Sequence, residues 1–392
     1  MELAFLSELV ARVRPPVQDL FLFRELRVEF LLQRGKVTEL VSRLRQALAV
    51  RQEGVLRSWD ATDADAVAAL LGLSPRKVPK FRWEPELAVP EPHAVAAQLS
   101  HGPLRVALVR SHAVVVRPDG VFATARPERV EVQNQAGETF TWLWGEQPPP
   151  AKPAQGGRKP PPCGPLAVLL APQPAAVLLH ELFGHPLEAD TFFAGASPWT
   201  GKLGTRVVSL PLFVKDDPTA PLPGQCFRDD EGELARPKIL VASGVLEDLL
   251  ADRSFSHHLP LAPGNARRVS PHHPPAPRIS NLVTWVEGGP PTPPMEEAQV
   301  EIVRVRTGVF LPSRASILLS VSEGFLLHRG LRGERLAPFL LELPVGPGDP
   351  GIVAGGGTPV PVAEPGLCIK EGQPLPVGAA ASWLLLAGVK VP

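Results

Sequence analysis

Tyrosine is absent from this sequence, methionine occurs twice, cysteine three times, and the formal net charge is zero. Three cysteines cannot frame a disulfide-stabilised fold, so a reducing, cytoplasmic setting is expected. With no excess of positive charge there is no electrostatic footprint for direct nucleic-acid binding. No run of about 18 apolar residues is free of proline or charge, which excludes the usual membrane-spanning helix. The opening Met1-Glu2-Leu3-Ala4-Phe5 lacks a basic stretch and does not read as a secretory leader. Proline, by contrast, is abundant at 48 of 392 residues. That excess fits heat adaptation and a GC-rich genome equally well.

A chain of 392 residues predicts two or three domains. Residues 1–88 read as a small α+β domain. Helical spacing runs through 3–13, and strand-like runs cover 22–32 and 36–44, with Arg34-Gly35 as the turn between them. A third strand is expected within 46–59. Thr62-Asp63-Ala64-Asp65 reads as the cap of a helix reaching residue 73. Residues 89–147 form a strand-rich middle segment, with a helix near 93–99 and a hairpin at Pro118-Asp119-Gly120. Residues 148–164 are a Pro-rich linker. From 165 to 392 strand patterns dominate, and the run at 166–171 leads into one helix. The predicted class is α+β, an α/β amino-terminal part followed by a β-rich carboxy-terminal domain that carries a single active-site helix.

That helix is Pro174-Ala175-Ala176-Val177-Leu178-Leu179-His180-Glu181-Leu182-Phe183-Gly184-His185-Pro186-Leu187-Glu188-Ala189-Asp190. Proline suits a first helical turn, and the apolar run that follows reads as buried. Two imidazoles and three carboxylates on such an element are costly to bury unless they are paired or bind a cation. His180 and His185 are spaced i, i+5. On an ideal α-helix such a pair points about 140° apart and cannot close on one ion. Gly184 and Pro186 flank the second histidine and supply a local distortion. The spacing therefore predicts a π-turn or a helix end between His180 and His185.

Zinc takes His nitrogen and Cys sulfur, and a catalytic zinc keeps three protein ligands and one open position. His180 and His185 supply two. Spacing alone leaves the third open among Cys368, Cys226, Cys163, Glu188, His257, His258, His272 and His273. Cys368 lies in a turn-rich segment beside Lys370, which would favour its thiolate.

The run His180-Glu181-Leu182-Phe183-Gly184-His185-Pro186-Leu187-Glu188-Ala189-Asp190 resembles the signature of the TldD/PmbA family of metallopeptidases, His-Glu-x-x-Gly-His-x-x-Glu-x-Asp. Further matches follow in order: Val214-Lys215-Asp216-Asp217 with Pro223-Gly224, Asp229-Asp230-Glu231-Gly232, and Ile239-Leu240-Val241 with Gly244-Val245-Leu246. Beyond these come Asp252-Arg253, Gly264-Asn265-Ala266-Arg267-Arg268, Pro277-Arg278-Ile279-Ser280-Asn281, and Cys368-Ile369-Lys370-Glu371-Gly372-Gln373 with Pro376-Val377-Gly378. Ile369 stands where the family usually has glycine. The resemblance covers roughly residues 165 to 392. It implies a zinc-dependent peptidase with His180, His185 and Cys368 as metal ligands and Glu181 as catalytic base.

In that reading Glu188 or Asp190 orients a ligand histidine. Arg267, Arg268 and Arg278 hold backbone, substrate carboxylate or structural ion pairs. The resemblance also implies short or unfolded peptide substrates, cut inside the enclosed cavity of a homodimer or of a heterodimer with a related subunit. An extended substrate can add as a strand to a sheet edge. The alternative is a non-catalytic scaffold subunit whose zinc staples two segments and is closed by a fourth ligand such as His257 or Glu188. A family link to DNA gyrase modulation finds no basic surface in this sequence to support DNA contact.

Overall fold

The computed structural model describes Val13 and residues 17–60, 89–99, 104–124, 126–135, 137, 139–146, 157–257, 260–345, 351–362 and 366–391. The helix expected after Thr62, nearly all of that expected at 3–13, and most of the 148–164 linker lie outside the described residues.

The first sheet contains β1 (Val17–Gln33), β2 (Lys36–Gln52), β3 (Val55–Asp60), β4 (Leu104–Arg117), β5 (Gly120–Ala123), β6 (Arg126–Gln133) and β7 (Thr139–Leu143). Its order is β3-β2-β1-β4-β6-β7, with β5 on β4. Arg34 and Gly35 both take positive φ, 47° and 73°. That is the two-residue turn whose twist matches a hairpin, and it pairs Gln33 with Lys36. A second such turn, Glu53-Gly54, starts β3. The strands expected at 36–44 and 46–59 are therefore differently divided: β2 runs unbroken to Gln52. β4 pairs with β1 from Leu32↔Leu104 to Leu20↔Val116, so strands from both sides of residue 88 share one sheet. Alternation gives this sheet two faces. Val28, Phe30 and Leu32 pack with Leu108 and Val130 against Val95 of the short helix α1 (Pro92–Ala96). On the other face Phe21 and Phe23 pack with Ala113 and Val115, and beyond them this face also carries charged Arg27, Glu29, Arg105 and Glu131.

The second sheet is built from β8 (Gly164–Leu170), β9 (Leu212–Asp216), β10 (Lys238–Ala242) and β11 (Val245–Leu246). A separate two-strand ladder of β12 (Ala266–Arg267) and β13 (Ala276–Pro277) precedes β14 (Asn281–Val286), β15 (Val300–Leu311), β16 (Ser316–His328), β17 (Leu331–Arg335), β18 (Phe339–Pro344) and β19 (Ile352–Val362). The hairpin β20 (Leu367–Lys370) and β21 (Gln373–Pro376) stands apart from the sheet, and β22 (Gly378–Val391) returns to its centre. The order is β11-β10-β9-β14-β22-β8-β15-β16-β17, with β18 on β16 and β19 on β22. The apolar run Trp383-Leu384-Leu385-Leu386 of β22 is buried on both faces, as a central strand should be. Leu384 and Leu386 join the main core, while Trp383 and Leu385 pack with Leu169 and Leu327 behind the sheet.

The main core lies between this sheet and α2 (Pro172–Leu179), whose Ala175 to Leu179 are all buried. Among the described residues, helix is limited to α1, α2, α3 (Ala189–Phe193) and a few single turns. Among the described residues the architecture is thus mostly β, with the expected helix near 93–99 and the single helix entering the candidate site both present. Short apolar runs between prolines extend into strands here because sheet partners on both sides bury them.

Strand polarity brings the chemistry-bearing segments to one end of the second sheet. β8 and β15 run parallel and leave the sheet there, β8 into α2 and β15 onward past Ile302. β14 and β22, also parallel to each other, enter there, at Asn281 and Gly378. Close packing at this end depends on Gly224, whose N–H donates to Asn281 Oδ1 at 2.8 Å. A Cβ at Gly224 would lie 2.0 Å from the Ser280 carbonyl oxygen. Gly224→Ala is expected to destabilise the fold by about 1–3 kcal/mol or more through forced backbone movement. An unchanged thermal midpoint would refute this packing.

Candidate metal centre

Helix α2 ends in a π-turn, His180–Gly184, followed by a tight 3-10 turn, His185–Leu187. The His185 N–H donates to the His180 carbonyl, five residues back. This is the distortion expected from the i, i+5 spacing, and it turns both imidazoles to one side. Their ring centroids are 4.9 Å apart and their planes nearly perpendicular. A side chain on Gly184 would meet Ile279 at 2.5 Å, so glycine lets the turn sit against the core. The irregular turn is supported from below by Trp199. Its Nε1 donates to the Leu182 carbonyl at 2.7 Å, and its ring stacks on Phe183. The segment 192–205 begins within α3 and tucks Trp199 into the core.

Cys368 arrives on the hairpin β20–β21. Glu371 and Gly372 at its tip both have positive φ, again a two-residue hairpin turn. Buried Arg278 anchors the hairpin. Its Nη2 donates to the Cys368 carbonyl at 2.9 Å and lies 3.4 Å from the Cys368 Sγ. Arg267 holds the other strand through the Pro376 carbonyl at 2.7 Å and also donates to the Ile279 carbonyl. Asp216 in turn fixes the backbone just after Arg278, accepting from the N–H groups of Ser280 and Asn281 at 2.8 and 3.1 Å.

Cys368 Sγ lies 3.2 Å from His185 Nε2. One donor atom each from His180, His185 and Cys368 falls within 4.8 Å of the others. His180 Nδ1 is buried without a hydrogen-bond partner. A soft sulfur and two imidazoles, close together and incompletely satisfied, fit a zinc-like cation well. The electrostatics agree. Burial pushes the Cys368 thiol up, but the charge of His185 and hydrogen bonds from both imidazoles outweigh it and hold the thiol well below its usual range. Burial pushes the His185 ring down, and Cys368 with Glu188 raises it well above its usual value.

Glu188 Oε2 is 3.3 Å from His185 Nδ1 and accepts from Lys370 Nζ at 2.7 Å. Its carboxyl is wholly buried, which would raise its pKa. His185, Lys370 and Arg278 overcome that and bring it down to about 2. Asp190 lies in the first turn of α3, where its Oδ1 accepts from the Thr191 N–H at 2.8 Å. Both its oxygens accept from Lys370 at 2.7 Å. Lys370 is therefore committed to two carboxylates and approaches the thiolate only through Glu188.

Glu181 lies beside the cluster, on the wall of an open cleft of about 720 Å³. Its Oε2 accepts from the Phe310 N–H at 3.0 Å. Opposite it, β15 has a register shift between Val305 and Gly308, and a Cβ at Gly308 would lie 2.9 Å from the Glu181 side chain and 2.7 Å from Val177. Gly308 was not anticipated as a site residue. The available signal was a lone glycine inside a strand pattern, which marks a bulge or a close approach. Gly137 and Thr139, at the start of β7, line the far wall.

The other candidates fall elsewhere. Arg267 and Arg268 are buried in the core and line no part of the cleft. Arg268 donates to the Asp230 carbonyl and lies over the Phe21 ring. A substrate carboxylate cannot reach either guanidinium without opening the core. Cys226 is buried apart from the cluster, where burial pushes its thiol up to about 11, and Cys163 is exposed. His272 and His273 hydrogen-bond Ser58 and Ser270. The His257 side chain and all of His258 lie outside the described residues.

Residues 164–331 match the family model described as the PmbA/TldA metallopeptidase C-terminal domain. A protein of Archaeoglobus fulgidus named "Metalloprotease" is 39% identical over 107 residues, 27% of this chain and 25% of that protein. A "Zinc metalloprotease TldD homolog" of Saccharolobus solfataricus is 32% identical over 114 residues, 28% of this chain and 25% of its own length. The matched region thus spans about a quarter of these relatives. Among solved structures, TldE from Thermococcus kodakarensis superposes with a TM-score of 0.68 at 12% identity, covering 98% of both chains. That likeness is one of fold.

Two variants probe the cluster's supports. Glu188→Gln is expected to weaken zinc binding about 10–100-fold by loosening His185, read by competition with a chromophoric chelator. Gly308→Ala is expected to destabilise the fold by about 1–3 kcal/mol, because the added methyl would lie 2.9 Å from the Glu181 side chain and 2.7 Å from Val177. An unchanged thermal midpoint in Gly308→Ala would show that Glu181 and Val177 tolerate the added methyl.

Proposed function

Because this chain is a member of the TldD/PmbA family, we propose that it is a zinc-dependent peptidase acting on short or unfolded peptides. The observation that carries the reading is the convergence of donor atoms from His180, His185 and Cys368 within 4.8 Å, on the wall of an open cleft, with Glu181 beside them. Bound there, zinc would polarise the scissile carbonyl and make water a nucleophile at neutral pH.

The chain's own residues do the rest. Glu181 takes the proton from the attacking water and delivers it to the leaving amine. The Phe310 N–H holds one of its oxygens, which limits the carboxylate's rotation. Glu188 accepts from His185 Nδ1, which fixes the tautomer and leaves Nε2 on the Cys368 side as the free donor. Lys370 neutralises Glu188 and Asp190, so their charge does not repel a peptide carbonyl. Arg278 keeps the Cys368 hairpin seated.

The cleft is wide enough for a few extended residues, and its chemistry lies below the surface, with Cys368 only 3% exposed. A folded domain could not bring a peptide bond to it. Pairing with a second copy, or with a related subunit, would enclose the cleft further. A reducing, cytoplasmic compartment suits the buried thiolate. The scaffold alternative requires a fourth protein ligand, and Glu188 is instead engaged by His185 and Lys370.

Glu181→Gln is expected to bind zinc at the same stoichiometry by elemental analysis yet lose about 10²–10⁴-fold in peptide hydrolysis. Cys368→Ser should lose metal and activity together. Wild-type turnover in Glu181→Gln, or undiminished peptide cleavage after exhaustive chelation, would end this reading.

A further inference from the structure

A second cavity of about 460 Å³ adjoins the cleft, and the two share Thr139 and Leu367 in their walls. A chain leaving the cleft past that pair enters this chamber. Its floor is the polar face of the first sheet. Leu31, Arg105, Gln133 and Thr139 stand in one row across β1, β4, β6 and β7, each paired in register with the next. Neighbouring strands are about 4.8 Å apart, so Arg105 lies about 10 Å from Thr139 along the row. An extended peptide advances about 3.3 Å per residue, so it covers that distance in about three residues.

The charges in this wall are unevenly committed. Arg27 donates to Glu29 at 2.8 Å and to Glu131 at 2.9 Å, and Arg43 lies 3.5 Å from Glu29. Those two acids are neutralised within the wall. Arg105 is exposed and makes no side-chain hydrogen bond or ion pair among the described residues. Glu39, the remaining acid of the chamber, lies farther from Thr139, next to Thr38, which pairs with Leu31 from the far side. A negatively charged group arriving from the cleft therefore meets Arg105 first.

We infer that Arg105 determines specificity in this chain by holding a peptide carboxylate about three residues beyond Thr139. This rests on the peptidase reading above. Guanidinium suits such a partner because it can donate two parallel hydrogen bonds to one carboxylate. The carboxylate comes either from the peptide's carboxy terminus or from an acidic side chain near it, and the row of backbone and side chains from Thr139 to Arg105 acts as a ruler.

The test measures binding rather than turnover, using full-length protein carrying Glu181→Gln so that peptides stay intact. Three amino-terminally fluorescein-labelled hexapeptides of alanine and phenylalanine are compared by anisotropy. One has a free terminal carboxylate, one a terminal carboxamide, and one a carboxamide with glutamate as its last residue. The free acid is expected to bind about three- to tenfold more tightly than the plain carboxamide, as befits a solvent-exposed ion pair. Adding Arg105→Gln should erase that difference, and Arg105→Lys should keep part of it. Recovery of affinity by the glutamate carboxamide assigns the contact to any carboxylate near the end, and failure to recover assigns it to the terminus alone. Equal affinities for all three peptides, no measurable binding of the free acid, or a preference that survives Arg105→Gln would overturn the inference. Loss of the preference alongside zinc-dependent hydrolysis by the wild type would leave the peptidase reading intact. Absence of hydrolysis with the preference retained would do the reverse.

Discussion

The five-residue step from His180 to His185 is the constraint on which the rest of the structure depends. A regular α-helix would send the two rings about 140° apart. The chain resolves this with one wide turn closed by the His185 N–H on the His180 carbonyl. Such turns are poorly packed inside and uncommon. This one persists because its surroundings hold it: Trp199 satisfies the Leu182 carbonyl, Phe183 stacks on that ring, and Ile279 fills the space that a side chain at Gly184 would need. The geometry of the donor cluster is thus set by the hydrophobic packing beneath it.

A second requirement follows from burial. Placing a carboxylate, a thiolate and a lysine within a few ångströms, largely shielded from water, costs several kcal/mol per unpaired ion. Each charge here has a named counterpart. Glu188 is shared by His185 and Lys370, Lys370 also reaches Asp190, and Arg278 lies 3.4 Å from the Cys368 sulfur. The arrangement forms a chain of alternating sign rather than isolated pairs, so removing one member strands its neighbours. A structural frame surrounds it. Asp216, Arg267, Arg278 and Gly224 tie together loops that are far apart in sequence, which explains why the family resemblance extends well beyond the helix into motifs with no direct chemistry.

Much of the site could be read from sequence because its residues conflict with their surroundings. Imidazoles and acids on an apolar helix, and glycine beside proline at the second histidine, are local signals. The placement of Cys368 beside the histidines was expected only through family resemblance, since hairpin docking by Arg278 is a tertiary fact. Phe310, Gly137 and Thr139 were not anticipated because nothing in their own segments marks proximity to His180, and the lone glycine at 308 marks a close approach without saying to what. The dominance of strand among the described residues was only partly legible. Proline-bounded apolar segments carry little periodicity, and in a central strand such as β22 both faces are buried, so alternation disappears.

The distribution of the donors bears on how the site assembles. Residues 164–331 contain both histidines and Glu181, yet the sulfur lies beyond that matched region. What brings it back is β22. This strand enters the sheet at Gly378 beside Asn281 and then pairs antiparallel with β8, the strand that launches α2. The hairpin carrying Cys368 immediately precedes that entry, so it must emerge at the same sheet end as α2. Insertion of β22 between β14 and β8 therefore completes the hydrophobic core and delivers the third donor in one event. A chain lacking β22 would leave β8 and β14 with unpaired edges and the two imidazoles without their thiolate. Assembly of the donor cluster and core formation are, in this topology, consequences of the same strand pairing.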